Sequence, residues 1–233
     1  MNGPRKFETA GPIASQDRLG FDWLAQAFAS RGYAVLQPNY RGTLGYGEAF
    51  RRAADGEVGR KMQSDLSDGV LALAREGVVD PQRVCIVGIG YGGYAALAGV
   101  TLQQGQYRCA ASVNGVSHYG KVLLRETTLR TDLRRADFLR LLLGVDKGQN
   151  PEQIAPQALA ARADAPVLLI HGEDDTVVPI DQSRDMERAL KRAGRPVELV
   201  TLAGEDHWLT GGATRQQMLA KTVAFVEKHN PPD

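Results

Sequence analysis

The fold of this chain is decided by the stretch RVCIVGIGYGGYAALAGV, residues 83–100 of 233. An apolar run typical of a strand enters a cluster of glycines, and an alanine-rich run typical of a helix leaves it. Gly88, Gly90 and Gly93 match the dinucleotide-binding fingerprint G-x-G-x-x-G. The same turn also matches a hydrolase nucleophile elbow, G-x-S-x-G-G, in which Gly90 takes the place of the serine.

Around this turn, three segments repeat one pattern of amphipathic helix, glycine and short apolar strand: residues 17–38, 64–87 and 183–202. In the first segment, residues 33–36 are predicted to be a strand. Residues 107–116 and 165–172 supply two more strands with unbroken apolar cores. Such runs are typical of strands buried on both faces. The sequence therefore predicts an α/β fold, a doubly wound and mostly parallel sheet with helices on both faces and its site at the carboxyl ends of the strands.

The composition limits the function classes. The net charge is +1 with basic and acidic residues interspersed, which argues against nucleic-acid or anionic-membrane partners. No hydrophobic leader or membrane-spanning run is present, so a cytoplasmic location is expected. Cys85 and Cys109 lie in apolar runs and are predicted to be buried free thiols. No cluster has metal-ligand spacing, and neither a metal nor a cofactor is predicted.

The whole chain, residues 1–233, is predicted to form one domain. Residues 117–164 depart from the repeating pattern and suit one or two helices followed by a connection rich in Pro, Ala and Gln. This insertion either overhangs the site or serves only as packing.

Downstream residues discriminate between the two interpretations of the glycine turn. A dinucleotide site needs an acidic residue about twenty positions further on, and none lies there. An elbow needs an acid at a strand end and then a histidine, in that order. Asp174 and Asp175 follow the apolar run 165–172, and His207 follows the next strand. The elbow is therefore the favoured interpretation, with a dinucleotide-binding domain as the minor alternative.

Four stretches together resemble the catalytic domain of the prolyl oligopeptidase family of serine peptidases, particularly its acylaminoacyl- and dipeptidyl-peptidase-like members. They are RGYAVLQPNYRGTLGYGEAF, DPQRVCIVGIGYGGYAALAG, PVLLIHGEDDTVVPIDQS and LAGEDHWLTGGATRQQML. The resemblance implies an α/β-hydrolase fold, peptide or acyl-aminoacyl substrates, and a triad with Gly90 at the nucleophile position. Asp175 matches the triad acid in the H-G-x-x-D-x-x-V-P pattern, with Asp174 as the second choice, and His207 matches the triad histidine.

The sequence departs from the family at the group that would attack the substrate and at one of the groups that would stabilise the oxyanion. Gly90 has no side-chain hydroxyl, so the Asp175–His207 pair has nothing to activate. The resemblance implies that the Tyr91 N–H is one oxyanion donor. The second donor loop, H-G-G-P in the family, corresponds here to TAGP, so the N–H of Ala10 or Gly11 would have to serve.

Relative to the family, the chain is short at its N-terminus and carries no propeller. An exposed sheet edge is expected near residues 5–10, and with it a possible homo-oligomer. The favoured hypothesis is a peptidase-family domain whose turnover is impaired or absent. The alternatives are a non-catalytic peptide-binding module (a pseudoenzyme) and a hydrolase that activates water with His207.

Overall fold

A computed structural model describes residue 16, residues 20–129 and residues 133–232 of the chain. Four strands in these ranges form one sheet in the order β1-β2-β3-β4, and every neighbouring pair is parallel. The strands are β1 (Cys85–Ile89), β2 (Cys109–Val113), β3 (Val167–Gly172) and β4 (Val197–Leu202). The predicted parallel α/β sheet is therefore confirmed.

Eight α-helices accompany the sheet in the described ranges, and the glycines that follow the helices of the three repeated segments, Gly32, Gly77 and Gly194, all have positive φ. The helices are α1 (Trp23–Ala29), α2 (Glu48–Arg52), α3 (Lys61–Arg75), α4 (Tyr91–Leu102), α5 (Tyr119–Leu129), α6 (Leu133–Leu143), α7 (Asp181–Arg192) and α8 (Gly212–His229). Helices α5 and α6 lie in the region 117–164, followed by short 3-10 turns.

The helices cover both faces of the sheet because alternate strand residues point to opposite faces. On one face, Ile89 and Val113 share a buried cluster with Phe28 of α1 and Met218 of α8. On the other face, strand side chains pack against α4 and α7 in a cluster that includes Ala110, Leu97 and Met186. This arrangement directs the carboxyl ends of the strands toward a single edge, where the loops that follow β1, β3 and β4 meet.

Two expectations are wrong, one about Cys85 and Cys109 and one about residues 33–36. Cys85 and Cys109 are not free thiols but form a disulfide. The cause is the register of the sheet: the two residues are direct partners on adjacent parallel strands, with Cα atoms 4.7 Å apart, inside the range that a disulfide spans. Hydropathy alone predicts burial of a cysteine but not what lies opposite it.

The expected strand over residues 33–36 is also not formed. Tyr33 bonds back to the carbonyl of Phe28 at the end of α1, and residues 34–38 make no backbone hydrogen bond to any described strand. An apolar run becomes a strand only when a neighbour pairs with it, and no described strand lies beside this segment. The expected edge near residues 5–10 falls outside the described residues.

No helix in the described ranges combines the length and hydropathy that crossing a bilayer would require.

Candidate active site

The turn between β1 and α4 has the geometry of an elbow. Gly90 joins the strand to the helix with φ 60° and ψ −117°, a conformation that L side chains rarely adopt. Its N–H donates to the Val113 carbonyl at 2.9 Å, which fixes the turn against β2. A Cβ on Gly88 would lie 2.2 Å from the Gly92 carbonyl carbon, so the strand and the helix cross at a distance that only glycine permits.

Asp175 lies in the loop after β3, and both of its carboxylate oxygens have hydrogen-bond partners. Oδ1 accepts from the N–H groups of Val177 and Val178 at 2.8 and 2.7 Å, and Oδ2 faces the Nδ1 atom of His207 at 2.7 Å. Burial alone would raise the pKa of this carboxyl, but hydrogen bonds from His171 and His207 outweigh it and lower the pKa from 3.8 to about 2. Asp175 is therefore a carboxylate at neutral pH and holds the His207 proton on Nδ1.

A second buried histidine supports this loop. His171 Nε2 lies 2.8 Å from the Val178 carbonyl oxygen and 3.5 Å from Asp175 Oδ2, so that nitrogen carries the proton and donates to this loop. Nδ1 is then the acceptor for the Ser183 hydroxyl at 2.7 Å. The His171 ring thus fixes the peptide whose N–H groups bind Asp175. The sequence offered only its place in the H-G-x-x-D motif as a sign of this positioning role.

Asn114, at the end of β2, connects the acid loop to the histidine loop. Its side-chain oxygen accepts from the Gly172 N–H at 2.9 Å, and its nitrogen donates to the His207 carbonyl at 3.1 Å. The residue is completely buried and has a positive φ of 48°, a conformation that asparagine tolerates better than most residues. Nothing in the sequence pattern distinguished it, because its two partners lie 58 and 93 residues further along the chain.

His207 and Gly90 line the same small pocket. The other lining residues are mainly apolar: Tyr91, Val116, Tyr119, Arg135, Leu139, Val177 and Val178. The volume of about 10 Å³ is close to what one water molecule needs. His207 is 1% exposed, and its Nε2 atom has no hydrogen-bond partner among the described atoms. With Nδ1 directed at Asp175, Nε2 is the ring nitrogen that faces the pocket, and none of the described residues that line it carries a serine, threonine or cysteine side chain.

The remaining predicted site residues have different outcomes. Tyr91 is the first residue of α4, so its N–H is among the helix-terminal donors without an intrahelical acceptor, as an oxyanion donor requires. Burial raises the pKa of its hydroxyl well above the usual value, so this group stays protonated and is no substitute nucleophile. Asp174 is exposed and does not contact His207. Ala10 and Gly11 lie outside the described residues.

No group of three or more histidine, cysteine, aspartate or glutamate side chains in the described ranges is placed to hold a metal ion.

The comparisons with known proteins give this geometry its context. Residues 19–231 match the prolyl oligopeptidase family of peptidases. The chain belongs to this family. Its predicted family and its α/β-hydrolase fold are thus confirmed.

Comparison with individual relatives also supports the family membership. The chain is 29% identical to dipeptidyl aminopeptidase BIII of Pseudoxanthomonas mexicana over 93% of its own length, and 30% identical to the uncharacterized peptidase YuxL of Bacillus subtilis over 83%. A puromycin hydrolase structure superposes with a TM-score of 0.85 at 26% identity, covering 96% of this chain and 33% of that one. The chain spans about a third of the length of these relatives, 32% and 29% for the two peptidases.

The buried Asp175 carboxylate should make the stability of the fold sensitive to acid. Because its folded pKa lies below its unfolded one, the ionised group stabilises the fold above about pH 4, and this contribution of about 2 kcal/mol is lost as pH falls to about 2. Urea unfolding at about pH 5 and about pH 2 measures the loss. Asp175→Asn should lose about 2 kcal/mol less than the native chain over that interval. Equal losses in the two proteins would show that Asp175 is not the acid-sensitive group.

Proposed function

We propose that this chain is a hydrolase domain of the short-peptide and acyl-aminoacyl peptidase lineage in which the acid–base pair is assembled and the nucleophile is missing. His207 is the base, Asp175 orients it, and the Tyr91 N–H donates to the oxyanion, with the N–H of Ala10 or Gly11 as second donor. The observation that carries the proposal is the buried, unpartnered Nε2 atom of His207 in the pocket that it shares with Gly90.

The missing hydroxyl sets the expected activity. Serine peptidases that lose the nucleophile alone lose about a millionfold in turnover and keep only the effect of the oxyanion hole and binding. Peptidase turnover by the native chain is therefore severely impaired or absent. The same observation supports a non-catalytic peptide-binding module, because the base and its acid are retained where no acyl-enzyme can form.

A third possibility, activation of water by His207, is supported by the pocket volume, which matches one water molecule. A general base contributes about 10²- to 10⁴-fold, so hydrolysis by this route would be slow.

Replacing His207 discriminates among these functions. We expect the native chain and His207→Ala to hydrolyse acetyl-alanine p-nitroanilide at the same rate, within the background of a heat-denatured sample. A decrease of 10-fold or more in His207→Ala would contradict the binding-module proposal and support activation of water by His207. Thermal melts of both proteins control for loss of the fold.

The domain organisation of the chain is also a proposal. We propose that residues 1–233 act as one hydrolase domain with residues 117–164 as a helical insertion beside the pocket, since Tyr119, Arg135 and Leu139 line it. Self-association through residues 5–10 stays a prediction. So does a cytoplasmic location, and the Cys85–Cys109 disulfide weighs against it because reducing compartments keep thiols free.

A further inference from the structure

The N-terminus of α4 lies at the pocket that His207 and Gly90 share, because Tyr91, the first residue of this helix, also lines it. The first N–H groups of an α-helix have no acceptor within the helix, and the helix dipole adds partial positive charge at this end. Such helix ends bind anions through their backbone donors. With 12 residues, α4 is long enough for its dipole to act here. This side of the pocket is therefore suited to a negatively charged group.

The ring of His207 is a second, independent indication of a ligand. It is 1% exposed, its Nε2 atom faces the pocket, and that atom has no hydrogen-bond partner among the described atoms. Buried polar atoms are rarely left without a partner, because the loss of their contact with water is then uncompensated. A ligand that bonds to Nε2 would remove this cost.

The charges at the pocket favour an anion. Arg135 of α6 lines it, and none of its described lining residues is an aspartate or a glutamate. The hydroxyl groups of Tyr91 and Tyr119 stay neutral, because burial raises the pKa of both. The carboxylate of Asp175 contacts the His207 ring at Nδ1, the nitrogen that is directed away from the pocket.

Three further titratable groups lie near this ring but are not among the described lining residues. Glu205 Oε1 accepts from the Asp206 N–H at 3.0 Å, and Asp206 Oδ1 accepts from the Trp208 N–H at 2.9 Å. His171 lies beyond Asp175, 3.5 Å from its Oδ2 atom, and both of its ring nitrogens have partners. These groups are engaged within their own loops and do not compete for a ligand of the pocket.

An anion can bond to Nε2 only if this atom takes up a proton. Asp175 is ionised and only accepts, so the neutral His207 ring has its proton on Nδ1 and a lone pair on Nε2. A carboxylate oxygen is also an acceptor and would be repelled by that lone pair. After Nε2 binds a proton from solvent, the imidazolium would lie between two carboxylates, and both would stabilise it.

We propose that this pocket binds the free carboxylate of an N-acyl amino acid or a short N-acylated peptide, with one proton taken up by His207 as the ligand binds. One oxygen takes the position that a serine hydroxyl would fill and accepts from Nε2–H, and the other accepts from the Tyr91 N–H. The volume of about 10 Å³ suits one such oxygen. The rest of the ligand lies toward Arg135 and Val177, the two described lining residues that are not buried.

This inference rests on the proposed function, because it requires an assembled acid–base pair beside an absent nucleophile. It goes further in the choice of ligand. The chain would bind the acid that an active peptidase releases rather than the amide that such an enzyme cleaves.

Isothermal titration calorimetry of the full chain with N-acetyl-L-alanine tests the inference. At about pH 9, in two buffers that differ in ionisation enthalpy, we expect binding to take up close to one proton. Affinity should then fall by roughly 10-fold for each further pH unit. N-acetyl-L-alaninamide has nearly the same shape without the charge and should bind at least 10-fold more weakly. Acetyl-trialanine distinguishes the two sources of the carboxylate: tighter binding than acetyl-alanine identifies a peptide C-terminus, and equal binding identifies an acyl amino acid.

Variants locate the site. His207→Ala should bind the acid at least 10-fold more weakly and without proton uptake. His229→Ala is the matched control, because His229 lies on α8 and is not among the residues that line the pocket. Gly90→Ser should also bind at least 10-fold more weakly, since its hydroxyl would fill the space of the carboxylate oxygen. The proton count and the comparison of acid with amide use the native chain alone, so they decide the question even if a variant fails to fold.

Equal affinity for the acid and the amide, or binding of the acid without proton uptake, would overturn the inference. Its failure is distinguishable from failure of the proposed function. If Gly90→Ser reacts with a fluorophosphonate while the native chain binds no acid, the acid–base pair is assembled and the carboxylate site alone is refuted. If Gly90→Ser remains folded and does not react, the oxyanion site is incomplete, and the calorimetry still decides whether the carboxylate binds.

Discussion

Gly90→Ser should convert a chain that does not react with fluorophosphonates into one that is labelled stoichiometrically. The new hydroxyl would stand in the pocket that contains the unpartnered Nε2 atom of His207, and the orphan Tyr91 N–H would lie next to it in the sequence. Since loss of the nucleophile costs a serine peptidase about a millionfold, we expect turnover of acetyl-alanine p-nitroanilide to rise by roughly 10³- to 10⁶-fold.

The same substitution should destabilise the protein. Gly90 has φ 60° and ψ −117°, and a residue with a Cβ adopts this conformation at a cost of about 1–3 kcal/mol. Gly90→Ala is the matched control because it carries the same backbone strain without a hydroxyl. Both variants should lose similar stability in urea, and only the serine variant should label. If both fail to label while remaining folded, the oxyanion site is incomplete and the binding-module proposal takes precedence.

Asp175→Asn, placed in the Gly90→Ser background, should then reduce turnover by about 10⁴-fold. The carboxylate accepts the His207 Nδ1 proton at 2.7 Å, whereas an amide would stabilise the wrong tautomer of the ring. Asp174→Asn in the same background is the control, because Asp174 is exposed and its side chain does not contact the histidine. We expect less than about a twofold effect there. A large loss from Asp174→Asn with little from Asp175→Asn would reverse the assignment of the acid.

Much of the fold and the central pair of the site follow from local sequence. The strand–glycine–helix pattern around Gly90 predicts an elbow because the glycines permit a turn that other residues resist. Asp175 and His207 could be placed beside each other because both follow strands of a parallel sheet, and the carboxyl ends of such strands meet at one edge. The hydrogen bond of 2.7 Å between their side chains agrees with that expectation.

The features that the sequence did not predict depend on contacts between segments that are far apart along the chain. The segment 33–36 has the composition of a strand but finds no partner among the described strands, so its propensity has no effect. The supporting roles of Asn114 and His171 arise from contacts with loops on other strands, which composition does not encode. The same is true of the disulfide, since one residue of slip in the β1–β2 register would separate the sulfur atoms onto opposite faces.

The disulfide also makes the elbow part of a covalent ring. Cys85 and Cys109 are 24 residues apart, and the loop that they close contains the rest of β1, the turn at Gly90 and all of α4. Closing a loop of this length restricts the unfolded chain by about 3.5 kcal/mol in the chain-entropy relation. An oxidised chain that loses its tertiary packing would therefore keep the two ends of this segment linked. It would re-form the turn from a smaller set of unfolded conformations. A reduced chain would have to search for the same crossing from an open coil, so its redox history would influence how readily the elbow re-forms.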